Sequence, residues 1–199
     1  VNANVFHAGN QEDYYFKPYE IVEKEFVDDN GEAHTVKVGF TGFVPPQINV
    51  WDKKHLDGKV VTKDIVESAK KVIPEMKEQG ADLIIVIAHT GVDSSEGVSG
   101  AENAVFDLTK QVSDIDAVVS GHQHNLFPGD GRFNSVANID NVKGTVNGVP
   151  VVMPKNWGSH LGLIDLELKR TAVIEGDEEW GVVDSQSKAE SISGVTEQN

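Results

Sequence analysis

Cysteine is absent from the 199-residue chain. Disulfides and thiolate metal sites are therefore excluded, while the redox compartment stays open. No apolar run approaches the ~20 residues needed to span a bilayer, and no signal-peptide pattern is visible. Positive charge is scarce: 17 Lys and Arg stand against 32 Asp and Glu, a formal net charge of −15. Such a charge repels nucleic-acid polymers and anionic membrane surfaces, so neither is expected as a partner. A small phosphate substrate stays open, because bound metal ions reverse the local field. Most of the acidity reads as solvated surface. With 39% hydrophobic residues at this length, the chain can bury a sizeable core.

The opening residues, Val1 to Phe6, alternate apolar and polar and read as a strand already under way. The first residue is therefore read as a processing boundary. Residues 19–43 read as a hairpin about Asn30-Gly31, closed by Pro45-Pro46. Residues 62–79 carry a helical apolar stripe of Ile65, Val66, Ala69, Val72, Ile73 and Met76. Thr62 reads as its N-cap, and Pro74 is expected to kink it or end it early. Leu83 to Ala88 and Ile115 to Ser120 read as strands, the first buried on both faces. A helix from about Glu102 to Val112 lies between them. Strands follow at 149–153 and 161–168, with another over 171–183. Residues 1–184 form the expected folded unit, and 185–199 a polar, flexible tail. The alternation of strands and helices followed by β-rich sequence predicts an α/β layered fold with mixed sheets.

Histidine carries the chemistry. His89 directly follows one apolar run, and His122 and His124 directly follow the other. The C-terminal ends of strands are where ligands bind in open α/β sheets, and one crossover helix lets the two ends be neighbours. Two imidazoles two residues apart on a tight loop do not easily share one tetrahedral ion. They can reach two ions lying ~3.5–4 Å apart, as in two-metal hydrolases. His7, His34 and His55 sit in polar, turn-like sequence and read as surface residues. His160, just before a strand, is a candidate to support the metal ligands, although a structural role is the plainer reading. Trp157 reads as a core residue rather than a base-stacking one.

Ile87-Ala88-His89-Thr90-Gly91 and Ser120-Gly121-His122-Gln123-His124 resemble the last two metal-binding motifs of calcineurin-like metallophosphoesterases. Val38 to Pro46, Val50 to Lys54, Val152 to Pro154 and Trp157 to Gly162 are similar to bacterial 2′,3′-cyclic-nucleotide 2′-phosphodiesterase/3′-nucleotidases, in the 5′-nucleotidase branch. The resemblance implies part of a four-layer αββα sandwich. It implies a metal-activated water attacking a phosphate ester, with two divalent ions among manganese, zinc and iron. His89 and His122 would ligate one ion and His124 the other. The enzyme would work in the periplasm or at the cell surface on nucleotide substrates. The family's Asp-x-His, Gly-Asp and Gly-Asn-His motifs do not stand ahead of His89. The catalytic histidine and the bridging carboxylate are therefore expected upstream of Val1, and a nucleotide-recognition domain beyond the C-terminus. The isolated chain would hold an incomplete site and be inactive, a folded fragment that at most binds a metal ion. A 5′-nucleotidase or nucleotide-sugar hydrolase is the alternative, but that branch commonly has Gln where His124 stands.

Overall fold

The computed structural model describes residues 1–94, 97–174 and 177–192. Three short strands come from the first third of the chain: β1 (Val5–His7), β2 (Asn10–Tyr14) and, after the hairpin, β5 (Val60–Thr62). They form a sheet ordered β2-β1-β5. The hairpin is β3 (Tyr19–Val27) and β4 (Ala33–Phe43), followed by two single helical turns, α1 (Ile48–Trp51) and α2 (Lys53–Leu56). Then come α3 (Ile65–Glu78), β6 (Leu83–Ala88), α4 (Val105–Gln111) and β7 (Ala117–Ser120). Short strands β8 (Leu126–Phe127), β9 (Ile139–Asp140) and β10 (Thr145–Val146) lead into β11 (Val149–Pro154). A long hairpin, β12 (His160–Ile174) and β13 (Asp177–Ser191), ends the described chain.

The main sheet runs β3-β4-β6-β7-β11-β10-β9, with β8 also paired to β11. β4, β6, β7 and β11 are parallel, whereas β3, β8, β9 and β10 join antiparallel. The expected α/β fold with mixed sheets is present.

Only one face of this sheet is fully covered. Ile84, Val86 and Val118 are fully buried against Ile65, Ala69, Val72 and Met76 of α3 and Val105 and Leu108 of α4. The opposite face shows Ile87 50% and Val119 36% exposed. The expectation of burial on both faces of β6 therefore fails, because successive strand residues alternate sides and the Ile85–Ile87 side is open at its end. The β12–β13 hairpin crosses part of that side. A cavity of about 730 Å³ remains beneath it, lined by Val38, Phe40, Leu168 and Trp180.

Several local details depart from the sequence reading. Asp64, not Thr62, caps α3, its side chain accepting from Glu67 N at 2.9 Å. Pro74 does not end the helix early, which runs on to Glu78. Pro74 is exposed, so the carbonyl its missing N–H would have bonded can meet water. The helix expected from Glu102 begins only at Val105. Residues 185–191 are not a frayed tail but the end of β13, while 193–199 lie outside the described residues. Ser185 and Ser187 are buried there, where Gly144 comes so close that a Cβ on it would meet the Ser187 Cβ at 2.7 Å. Ser187 is small enough for this close approach, and such residues give the strand a loop-like composition.

Asp116, at the start of β7, accepts a hydrogen bond from Ile84 N at 2.7 Å. Burial raises its pKa to about 6 from an ordinary 3.8, against the lowering effects of that bond and of Lys77. The native chain thus holds a proton that the unfolded chain releases between about pH 4 and 6. Stability falls as pH rises through that window, by up to about 3 kcal/mol. Asp116→Asn keeps an acceptor for Ile84 N and removes the buried charge. Urea titrations at pH 4, 6 and 8 are expected to show a flattened slope in the variant and a gain of roughly 1–3 kcal/mol at pH 8. Equal slopes in the two proteins would rule this account out.

Candidate metal centre

The parallel register pairs Ala88 of β6 with Ser120 of β7. Both strands stop level, so His89 and Gly121-His122 leave the sheet at the same C-terminal edge. Thr90 ties that edge together. Its hydroxyl donates to Glu102 O and accepts from Ala104 N, each at 2.7 Å, and its carbonyl accepts from Ser120 Oγ at 2.6 Å. Being fully buried, Thr90 makes these bonds out of reach of water, where leaving a group unpaired costs most.

The loop after Ser120 is held in an unusual shape. His122 and His124 both have left-handed backbone, at φ 72° and 57°. Non-glycine residues adopt this region rarely, and such strain clusters at functional sites. Gln123 lies across Gly91, where a Cβ would sit 2.2 Å from the Gln123 side chain. A side chain at 91 would have to displace the Gln123 side chain from this position.

His122 Nδ1 stands 3.3 Å from His89 Nε2. The other ring nitrogen, Nε2, donates to Glu102 Oε1 at 3.1 Å. Trp51, from α1, stacks on the His122 ring with centroids 5.3 Å apart and planes 18° from parallel. The His122 side chain is left 17% exposed. His89 is more open to solvent, yet partial burial of its ring lowers its pKa, and the neighbouring His122 and His124 lower it further. A neutral imidazole is what a cation requires. Beside His89 lies a cavity of about 320 Å³, bounded by Val1, Asn2, Val44, Ile87 and Val119. It is smaller than the apolar one beneath the hairpin, but it alone of the two adjoins the histidines.

A divalent cation fits the pair. Two nitrogens each about 2.1 Å from one tetrahedral ion stand about 3.4 Å apart, close to the separation here. His124 does not join them at one point. It is exposed, and among the described residues the group of potential ligands gathered within 4.8 Å of one another is Asp28, Glu32 and His34. That second group is a turn device: Asp28 Oδ1 accepts from Asn30 N and Glu32 N, and its Oδ2 accepts from His34 Nε2. These bonds, the Glu32 amide foremost, hold the Asp28 pKa down to about 2.

A calcineurin-like phosphoesterase model matches residues 5–126, more than half of the chain. The chain belongs to the calcineurin-like phosphoesterase family. It is 52% identical, over its whole length, to the trifunctional nucleotide phosphoesterase protein YfkN of Bacillus subtilis, of which it covers 13%. Over 96% of the chain it is 44% identical to a 2′,3′-cyclic-nucleotide 2′-phosphodiesterase/3′-nucleotidase of Salmonella typhimurium, of which it covers 28%. The crystal structure of calcineurin-like phosphoesterase YfkN superposes with TM-score 0.91, covering 98% of this chain and 56% of that one. The chain thus spans only a fraction of the relatives it matches, and they carry further segments. Membership of this family implies divalent metal binding.

The structure brings His89 and His122 together and leaves His124 two residues away on the same loop. His160 is apart from them in its bonding, with Ser159 Oγ as the partner of its Nδ1 at 2.9 Å. Trp157 is 96% exposed, not in the core, because left-handed Lys155, Trp157 and Gly158 turn the loop outward. His34 is less superficial than its sequence suggests. Its side chain is 22% exposed and meets Trp180 edge-on at 5.3 Å. Glu102, outside every motif, and Trp51, inside the Val50 to Lys54 segment but without a role assigned there, frame His122 from 20 and 71 residues away. Glu102 reads in sequence as a helix start, and only the fold turns it to the histidine.

Proposed function

We propose that this chain supplies part of the catalytic domain of a two-metal phosphoesterase that hydrolyses 2′,3′-cyclic nucleotides and 3′-nucleotides outside the cytoplasm. The observation that carries the reading is the His89–His122 pair, with nitrogens 3.3 Å apart at the edge of two parallel strands, in a chain 44% identical to a relative named for that activity. His89 Nε2 and His122 Nδ1 would hold one divalent cation, of manganese, zinc or iron, and His124 would face a second. When bound, such ions neutralise charge on phosphoryl oxygens and lower the pKa of water. The chain's own part is to fix the two imidazoles, and partial burial with the neighbouring histidines favours the neutral form of His89. A bridging carboxylate, the catalytic histidine and a nucleotide-recognition surface would come from segments outside the matched region, as the family resemblance implies. No helix among the described residues is long and apolar enough to cross a membrane. A periplasmic or cell-surface location rests on the resemblance.

The 199-residue chain is expected to bind a single divalent cation. Cobalt(II) titration followed by absorption reads the stoichiometry and the nitrogen ligation. One equivalent in the wild type, lost in both His89→Ala and His122→Ala, is the expected result. Binding that survives both substitutions would remove this site from the proposal.

A further inference from the structure

Nothing in the motif reading assigns a role to Glu102, yet among the described residues it is the carboxylate that bonds to the histidine pair. Its loop is anchored independently of the histidines. Gly97 N donates to Asp107 Oδ2 at 2.8 Å, Gly100 N to Asp64 Oδ2 at 2.6 Å, and Gln47 Nε2 to Gly100 O at 2.7 Å. Thr90 then fixes the Glu102 carbonyl itself. The side chain is therefore presented to His122 from a braced backbone. An ionised carboxylate only accepts hydrogen bonds, so the proton between Glu102 Oε1 and His122 Nε2, 3.1 Å apart, belongs to the histidine. A neutral imidazole carries one N–H, which leaves Nδ1 with its lone pair directed toward His89 Nε2 at 3.3 Å. Trp51 against the ring face opposes rotation of the imidazole out of this plane.

We propose that Glu102 is a positioning residue for the metal pair: it holds the Nε2–H of His122 and thereby makes Nδ1 the nitrogen that meets a divalent cation. The inference deepens the metal reading above and rests on it. A carboxylate behind a ligating imidazole fixes the ring and raises its basicity, and losing such a partner typically weakens metal binding 10–100-fold. Glu102 does not ligate the same cation, since its Oε1 lies at the ring nitrogen on the far side from His89.

The test uses the 199-residue chain and two variants, Glu102→Leu and Glu102→Gln. Proton NMR of metal-free, ¹⁵N-histidine-labelled protein at pH 8 is expected to show a protected, downfield His122 Nε2–H. Glu102→Leu should lose that resonance to solvent exchange and bind zinc about 10–100-fold more weakly, with its cobalt spectrum still that of the same two imidazoles. Glu102→Gln keeps an acceptor oxygen and should retain both properties at an intermediate level, which separates positioning from a failure to fold. Zinc affinity unchanged in Glu102→Leu would overturn the proposal, as would normal zinc binding in a wild type lacking the protected Nε2–H. A protected Nε2–H in a wild-type chain that binds no zinc would instead overturn the metal reading, and the tuning role with it.

Discussion

Residues 1–199 alone, given manganese or zinc, are expected to hydrolyse neither 2′,3′-cyclic nucleotides nor 3′-nucleotides. The reason is electrostatic. Two unit charges about 4 Å apart repel each other by about 4 kcal/mol at an effective dielectric of about 20, and two divalent cations by about four times that. A bridging anion ordinarily offsets this. The three candidate imidazoles carry no negative charge when neutral, and Glu102, which bonds to His122, stands behind that ring rather than between two ions. Asp116, one of the acidic residues close in sequence, sits at the opposite end of β7 and bonds to Ile84 N. Exposed Ile87 and Val119 add an apolar surface beside the site that favours self-association. Turnover should appear when the chain is joined to the segments that flank the matched region in the Bacillus subtilis relative. The assay uses material shown by mass spectrometry to contain only Val1–Asn199. Hydrolysis by that material, abolished by His122→Ala, would mean that these residues complete a working site by themselves.

In the joined polypeptide, His122→Ala is expected to lower turnover of a 2′,3′-cyclic nucleotide by about 10²–10³-fold, the scale seen when one preorganised electrostatic group is removed. Metal occupancy should fall with it, because the same nitrogen serves affinity and the field at the phosphate. The substitution also strips Glu102 of its partner and leaves the Trp51 face uncovered. Excess metal should restore part of the loss. Unchanged turnover at matched metal occupancy would refute the role assigned to His122. Glu102→Leu should cost less, since it removes a supporting carboxylate and leaves the ligand in place.

The strand-end histidines are legible in the order of residues alone. Two short runs rich in branched apolar residues, Leu83 to Ala88 and Ile115 to Ser120, read as strands, and the structure has strands at Leu83–Ala88 and Ala117–Ser120. A histidine placed at the end of each is delivered to one edge once the strands pair in parallel. The hairpin about Asn30-Gly31 and the stripe of α3 are equally plain, because both rest on local periodicity or turn chemistry. Tertiary structure alone decided the rest. Glu102 reaches His122 because Asp64, Gln47, Asp107 and Thr90 brace an irregular loop, and no periodic pattern encodes such bonds. Trp51 meets the same ring from another part of the chain. Ser185 and Ser187 are strand residues because β13 pairs along β12, with Ser187 packed closely against Gly144. Whether β6 is covered on both sides likewise depends on what packs there, since an apolar run of six residues has the same composition with one face open as with both closed.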